Sequence, residues 1–137
     1  MIALNWFAII VAAIINMALG FFWYSQILFG KKWMTLMGVK EVDMKKGMSS
    51  NDMWKNYGLT FVGAVITAFV LSLFAYYKSA DTLLEGALLG ALLWIGLVIP
   101  TSLSGVLFEK KPVNLYFINM GFYLVSLIVM GGIVAVW

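Results

Sequence analysis

The chain has 137 residues, is 64% hydrophobic and 11% charged, and carries a formal net charge of +3 with a mean hydropathy of +0.99. A soluble domain is about half apolar and about a quarter charged, so this composition excludes a water-soluble fold and makes the bilayer the solvent. Cys, His and Arg are all absent, which excludes disulfides and thiol chemistry and removes the commonest metal ligand, the usual general base at neutral pH and bidentate phosphate clamps. The nine basic residues are lysines that flank apolar runs and form no basic face, so nucleic acid is not an expected partner.

Charges divide the chain into four uncharged runs, residues 1–30, 56–77, 86–108 and 112–137. About 20 apolar residues cross about 30 Å of hydrocarbon as a helix, so each run suffices for one span. The expected fold is an all-α integral membrane protein, one domain over residues 1–137, with transmembrane helices at about 3–24, 57–77, 83–107 and 114–136. No alternating pattern of a β-barrel is visible.

The first helix lacks a basic amino-terminal region, and Trp23-Tyr24 stands where a small-residue cleavage site would be expected, so it reads as a retained anchor. Asn5, Ala12, Asn16 and Gly20 share one of its stripes. Asn16 lies deep in the span, where an unpaired amide is costly, and should face the bundle.

The connection at 26–54 is the only sizeable extramembrane piece. Trp33, Leu36 and Met37 fall on one helical side with lysines at the margins, which predicts a short interfacial helix near anionic headgroups. Met34, Met37, Met44, Met48 and Met53 cluster here. Without His or Cys, and without tight Met-x-x-Met spacing, they read as adaptable packing, and no metal or other cofactor is expected.

The turn at 78–82 is short, so the second and third helices should be antiparallel neighbours. Thr82-Leu83-Leu84-Glu85 fits a capping box, which makes Glu85 a cap and not a catalytic acid. In the third helix Gly86-x-x-x-Gly90 offers a smooth face for close helix packing. Trp94 stands near mid-span and needs a partner for its indole N–H; Asn16 or Asn119 is the expected one. Pro100 cannot donate to the Gly96 carbonyl and crowds it, so Gly96 and Pro100 mark a hinge. Thr101 and Ser104 hydroxyls could bond carbonyls of the preceding turn, while a neighbouring helix or water reaches Gly96. The turn at 109–113 contains Pro112, with Asn114 as the expected cap of the last helix. There Asn119, Tyr123 and Ser126 form a second polar stripe.

Lysines set the orientation. The connections after the first and third helices hold eight, the opposite side only Lys78, so the lysine-rich connections should be cytoplasmic and both termini outside. These connections also share a pattern: Ser25-Gln-Ile-Leu-Phe-Gly-Lys-Lys32 and Ser104-Gly-Val-Leu-Phe-Glu-Lys-Lys111 agree at five of eight positions. That suggests two helical hairpins related by an axis along the membrane normal.

The ordered set Asn5-Trp6, Gly20 with Trp23-Tyr24-Ser25, Phe29-Gly30-Lys31 with Trp33, and Leu92-Leu93-Trp94-Ile95-Gly96 resembles an uncharacterised family of small bacterial membrane proteins, domain of unknown function 1761. The resemblance continues through Leu107-Phe108-Glu109 with Pro112, Ile118-Asn119 with Gly121, and Met130-Gly131 with Trp137. It implies four helices and a bacterial inner membrane, and supplies no activity. The chain departs from it at Gln26, where a proline is expected, at Lys110-Lys111, where an arginine is frequent, and at Tyr123, where some relatives carry histidine.

No charge lies inside any span, which argues against proton- or ion-coupled transport. The expected function is therefore to bind or pass a neutral or lipid-like small molecule through a polar pocket of Asn16, Trp94, Thr101, Ser102, Asn119 and Tyr123, with membrane lipids as partners. Four helices are few for a private pathway, so passage calls for a homo-oligomer, with a dimer through the Gly86/Gly90 face as one candidate. The alternative is a structural or accessory subunit acting through the Lys/Met-rich connection. An enzyme using Glu109, Lys110, Lys111 and Asp52 is disfavoured, because charges at helix ends normally anchor at headgroups.

Overall fold

A computed structural model describes residues 2–38 and 50–137. Its helices are α1 (Trp6–Trp23), α2 (Gly30–Met37), α3 (Ser50–Lys78), α4 (Leu83–Leu107) and α5 (Val113–Val136), and no strand occurs among the described residues. Four of them, α1, α3, α4 and α5, are long and apolar enough to cross a membrane. The alternative reading through the Lys/Met-rich connection rests on Lys40, Met44, Lys45, Lys46 and Met48, which lie outside the described residues.

Local chemistry sets the helix ends. The Asn5 side chain accepts from the Ala8 N–H at 3.1 Å and caps α1, so Asn5 belongs to the helix end and not to the polar stripe. The capping box of α4 forms as expected: Glu85 N–H donates to Thr82 Oγ1, and the Glu85 carboxylate accepts from the Thr82 N–H. At α5 the expectation fails. Pro112 occupies the cap position with no side-chain bond and the helix starts at Val113, so Asn114 caps nothing. α3 runs through the polar residues Asn51 and Asp52, and at 29 residues measures about 43 Å, more than the hydrocarbon requires.

α5 is the central helix, packing against α1, α3 and α4. α4 packs chiefly on α5 and touches α3 only slightly, so the short turn joins two helices that are not principal packing partners. The reason lies in Gly86 and Gly90. A Cβ on Gly86 would stand 2.1 Å from the Gly131 carbonyl oxygen, and one on Gly90 2.1 Å from that of Leu127. Backbone meets backbone, and this intimacy outweighs the proximity imposed by the turn. The Gly86/Gly90 face is thus covered from within the chain and is closed to a second copy.

Alanines and glycines bring the helices close in the half of the bundle away from the lysine-rich end, and aliphatic side chains fill it. Ile9, Ala12, Ala68, Leu71, Leu127, Met130 and Val134 form its buried cluster. At the lysine-rich end bulky rings intervene between the helices: Phe21 meets Tyr57 edge-on at 5.2 Å, and Tyr24 meets Phe122 at 5.4 Å. The outer surface of the bundle is apolar, with Leu84, Leu88, Leu92 and Ile95 of α4 all exposed, as lipid contact requires.

Pro100 is accommodated within a continuous α4. Residues Trp94–Val98 form a π turn in which the Ile99 N–H reaches back to the Trp94 carbonyl. One extra residue in the turn shifts the ladder ahead of Pro100, which has no N–H to give. Thr101 Oγ1 donates to the Leu97 carbonyl at 2.5 Å and Ser102 Oγ to that of Val98 at 2.7 Å. Gly96 and Pro100 are exposed, with open space where a Gly96 side chain would point. The two similar segments, 25–32 and 104–111, follow different courses: Gly30 starts α2, whereas α4 ends at Leu107 and Lys110 turns back with φ 55°.

Candidate functional site

The site begins at the end of α1. The Phe29 N–H donates to the Trp23 carbonyl at 3.1 Å and the Gly30 N–H to that of Ser25 at 2.8 Å, closing a tight turn. A Cβ on Gly30 would lie 2.4 Å from the Tyr24 carbonyl oxygen, so only glycine fits. This turn folds α2 back against the bundle, where it touches α5, and sets Trp33 edge-on to Tyr24 at 5.8 Å.

Between α1, α2, α3 and α5 the rings leave a cavity of about 600 Å³. Phe21, Tyr24, Trp33, Tyr57 and Phe122 supply aromatic walls, while Asn16, Thr60, Asn119 and Tyr123 supply the polar groups. Between α5 and the end of α4 lies a cleft of about 290 Å³. Thr101, Ser102, Ser104 and Tyr116 line it, with Glu109 and Lys111 also in its wall. Asn119 and Tyr123 belong to both spaces.

Hydrogen bonds tie the neighbouring helices to α5. Trp23 Nε1–H donates to the Ile118 carbonyl at 3.1 Å, and the Tyr24 hydroxyl donates to Asn119 Oδ1 at 2.7 Å. From α4, Trp94 Nε1–H donates to the Met120 carbonyl at 2.8 Å and the Tyr116 hydroxyl of α5 reaches that of Ile99 at 3.2 Å. Deeper in, the two polar stripes meet, because the Ser126 hydroxyl donates to Asn16 Oδ1.

The residues singled out in the sequence therefore divide. Thr101 and Ser102 line the cleft, Asn16 lines the larger cavity, and Asn119 and Tyr123 join the two. Trp94 lines neither: it packs against the buried cluster and bonds a backbone carbonyl, not Asn16 or Asn119. A mid-helix carbonyl keeps a second lone pair, so the indole found a partner without any polar side chain. Trp23, Tyr24 and Trp33 escaped the sequence reading because aromatic residues near helix ends usually sit at the headgroups, and Phe122 because a mid-span phenylalanine looks like any lipid-facing or core residue. The adjacency of Gly20 to Trp23-Tyr24, and of Gly121 to Phe122-Tyr123, was the available signal. A Cβ on Gly121 would stand 3.1 Å from the Trp23 ring.

Glu109 and Lys111, both well exposed, form an ion pair at 2.9 Å. Among the described residues no group of three or more His, Cys, Asp or Glu side chains is placed to hold a metal ion.

Fold and site together define a small four-span membrane protein with an aromatic cavity and a polar cleft that meet at Asn119 and Tyr123 of its central helix. The chain belongs to the family described as protein of unknown function (DUF1761), whose model matches residues 7–135. No curated protein and no solved structure matches it.

Proposed function

We propose that the protein lies in a bacterial inner membrane, with its lysine-rich end in the cytoplasm and both termini outside, and binds or passes a lipid-like small molecule. The observation that carries this reading is the 600 Å³ cavity, half of whose lining residues are aromatic and whose few polar groups come from α1, α3 and α5. Ligand sites are concave and apolar with a small number of polar groups that fix orientation, in this range of volume. The reading needs no catalytic residue and no cofactor, and the cavity is built within one chain, so binding needs no dimer.

Gly20 gives the test. It lines the cavity, and its Cβ position is 3.5 Å from the Phe122 ring, so alanine fits and a larger side chain enters the space. Native mass spectrometry of the purified protein should find a co-purifying amphiphile on wild type and Gly20→Ala, and lose it on Gly20→Leu. Equal retention by Gly20→Leu, with its melting temperature unchanged, would refute the assignment.

A further inference from the structure

The cavity and the cleft share Asn119 and Tyr123, and the chemistry on the two sides of that junction differs. We propose that the two form one bipartite site for a single glycerophospholipid whose headgroup carries a phosphate and a primary ammonium. The proposal rests on the lipid-binding reading above and adds the orientation and class of the ligand.

The cleft matches such a headgroup group by group. Thr101 and Ser102 spend their hydroxyl protons on carbonyls of the preceding turn, and the lone pairs left on those oxygens accept from an ammonium N–H. Glu109 and Lys111 place one negative and one positive group side by side in the same wall, complementary to an ammonium and a phosphate joined by a short linker. A headgroup of one sign alone would leave one of this pair opposed.

The junction matches the glycerol esters. The Asn119 carbonyl oxygen is used by Tyr24, but its amide N–H₂ donates to nothing among the described residues, and the Tyr123 hydroxyl has no partner among them either. These unspent donors lie about 9 Å and about 15 Å along α5 from Val113. Asn119, the nearer of the two, lies where ester carbonyls, which only accept, follow a headgroup, and Tyr123, near the middle of α5, lies beside the chain that follows. Beyond the junction the aromatic cavity takes an acyl chain.

The purified full-length protein is offered equal amounts of diacyl phosphatidylethanolamine, phosphatidylcholine and phosphatidylglycerol, and retained lipid is counted by native mass spectrometry. The choline lipid keeps both charges but has no N–H to donate; the glycerol lipid lacks the cation. Wild type should retain the ethanolamine lipid about fivefold over each of the others, the effect of one exposed charge contact. Glu109→Gln removes the partner of the ammonium and should abolish the preference for the ethanolamine lipid, whereas Lys111→Gln removes a contact to the phosphate that all three lipids share and should lower retention of all three alike. Tail-free glycerophosphoethanolamine should fail to displace the lipid, which separates a lipid from a free phosphoester as ligand. Equal retention of all three lipids by wild type, or an unchanged preference in Glu109→Gln, overturns this inference alone. Absence of any retained lipid overturns the lipid-binding reading with it.

Discussion

Replacing Gly90 by alanine tests the contact that sets the helix order. The new methyl carbon would stand 2.1 Å from the Leu127 carbonyl oxygen and 2.5 Å from its carbon. Both are backbone atoms within α5, so no side chain can swing aside. Real Cβ atoms essentially never come within 3.0 Å, which means the two helices must part by about 0.9 Å. Overpacking of this kind costs about 1–3 kcal/mol. One turn further along, the 2.8 Å bond from Trp94 to the Met120 carbonyl would open by a similar amount and leave hydrogen-bonding range. That forfeits about 0.6 kcal/mol more in a membrane interior. Alanine returns at most about 1 kcal/mol of helix propensity. The net expectation is a loss of about 1–3 kcal/mol, measured by reversible unfolding in mixed detergent micelles and followed by tryptophan fluorescence. Gly63→Ala in α3, where a Cβ meets nothing within 4 Å, is the matched control and should be neutral or slightly stabilising. A Gly90→Ala protein within about 0.5 kcal/mol of wild type would refute the close backbone contact.

Trp94→Phe keeps most of the ring but removes the donor to Met120; the carbonyl retains its helical partner, so the loss should be modest, about 0.5–1.5 kcal/mol in the same unfolding assay. Because Trp94 lines neither cavity, lipid retention should be unchanged, and a loss of retention would place it in the site after all. The proposed orientation predicts that a reporter fused after Trp137 is active only outside the cytoplasm; activity only inside would reverse the molecule.

The bundle is unevenly packed, and the reason is visible in particular residues. Ala12, Ala68, Gly86, Gly90 and Gly131 let backbones approach in one half, where van der Waals contact is the main attraction between helices in lipid. In the other half, Phe21, Trp23, Tyr24, Tyr57 and Phe122 are too large for that approach and meet ring to ring, leaving the larger cavity between the elements they separate. Tight packing far from the lysines thus provides the rigid base on which an open end can stand.

Charge distribution alone was enough to place four apolar helices, because excluding charge from hydrocarbon is an energetic demand that acts residue by residue. Local signals of the same short range, such as the Thr82–Glu85 box and the break at Pro100, were equally legible. Which helices touch was not. Connection length suggested that α3 and α4 pair, whereas the fit of Gly86 and Gly90 against Gly131 and Leu127 sent α4 to α5, a choice made by shape between distant segments. The same holds for the polar residues. Spacing grouped Asn119 with Tyr123 and Asn16 with Gly20 on their own helices, but the pairing of Asn16 with Ser126, and of Asn119 with Tyr24, depends on how α1 and α5 meet. Trp94, an evident candidate for the pocket from its depth in the span, was drawn instead to a main-chain carbonyl that no side-chain pattern announces.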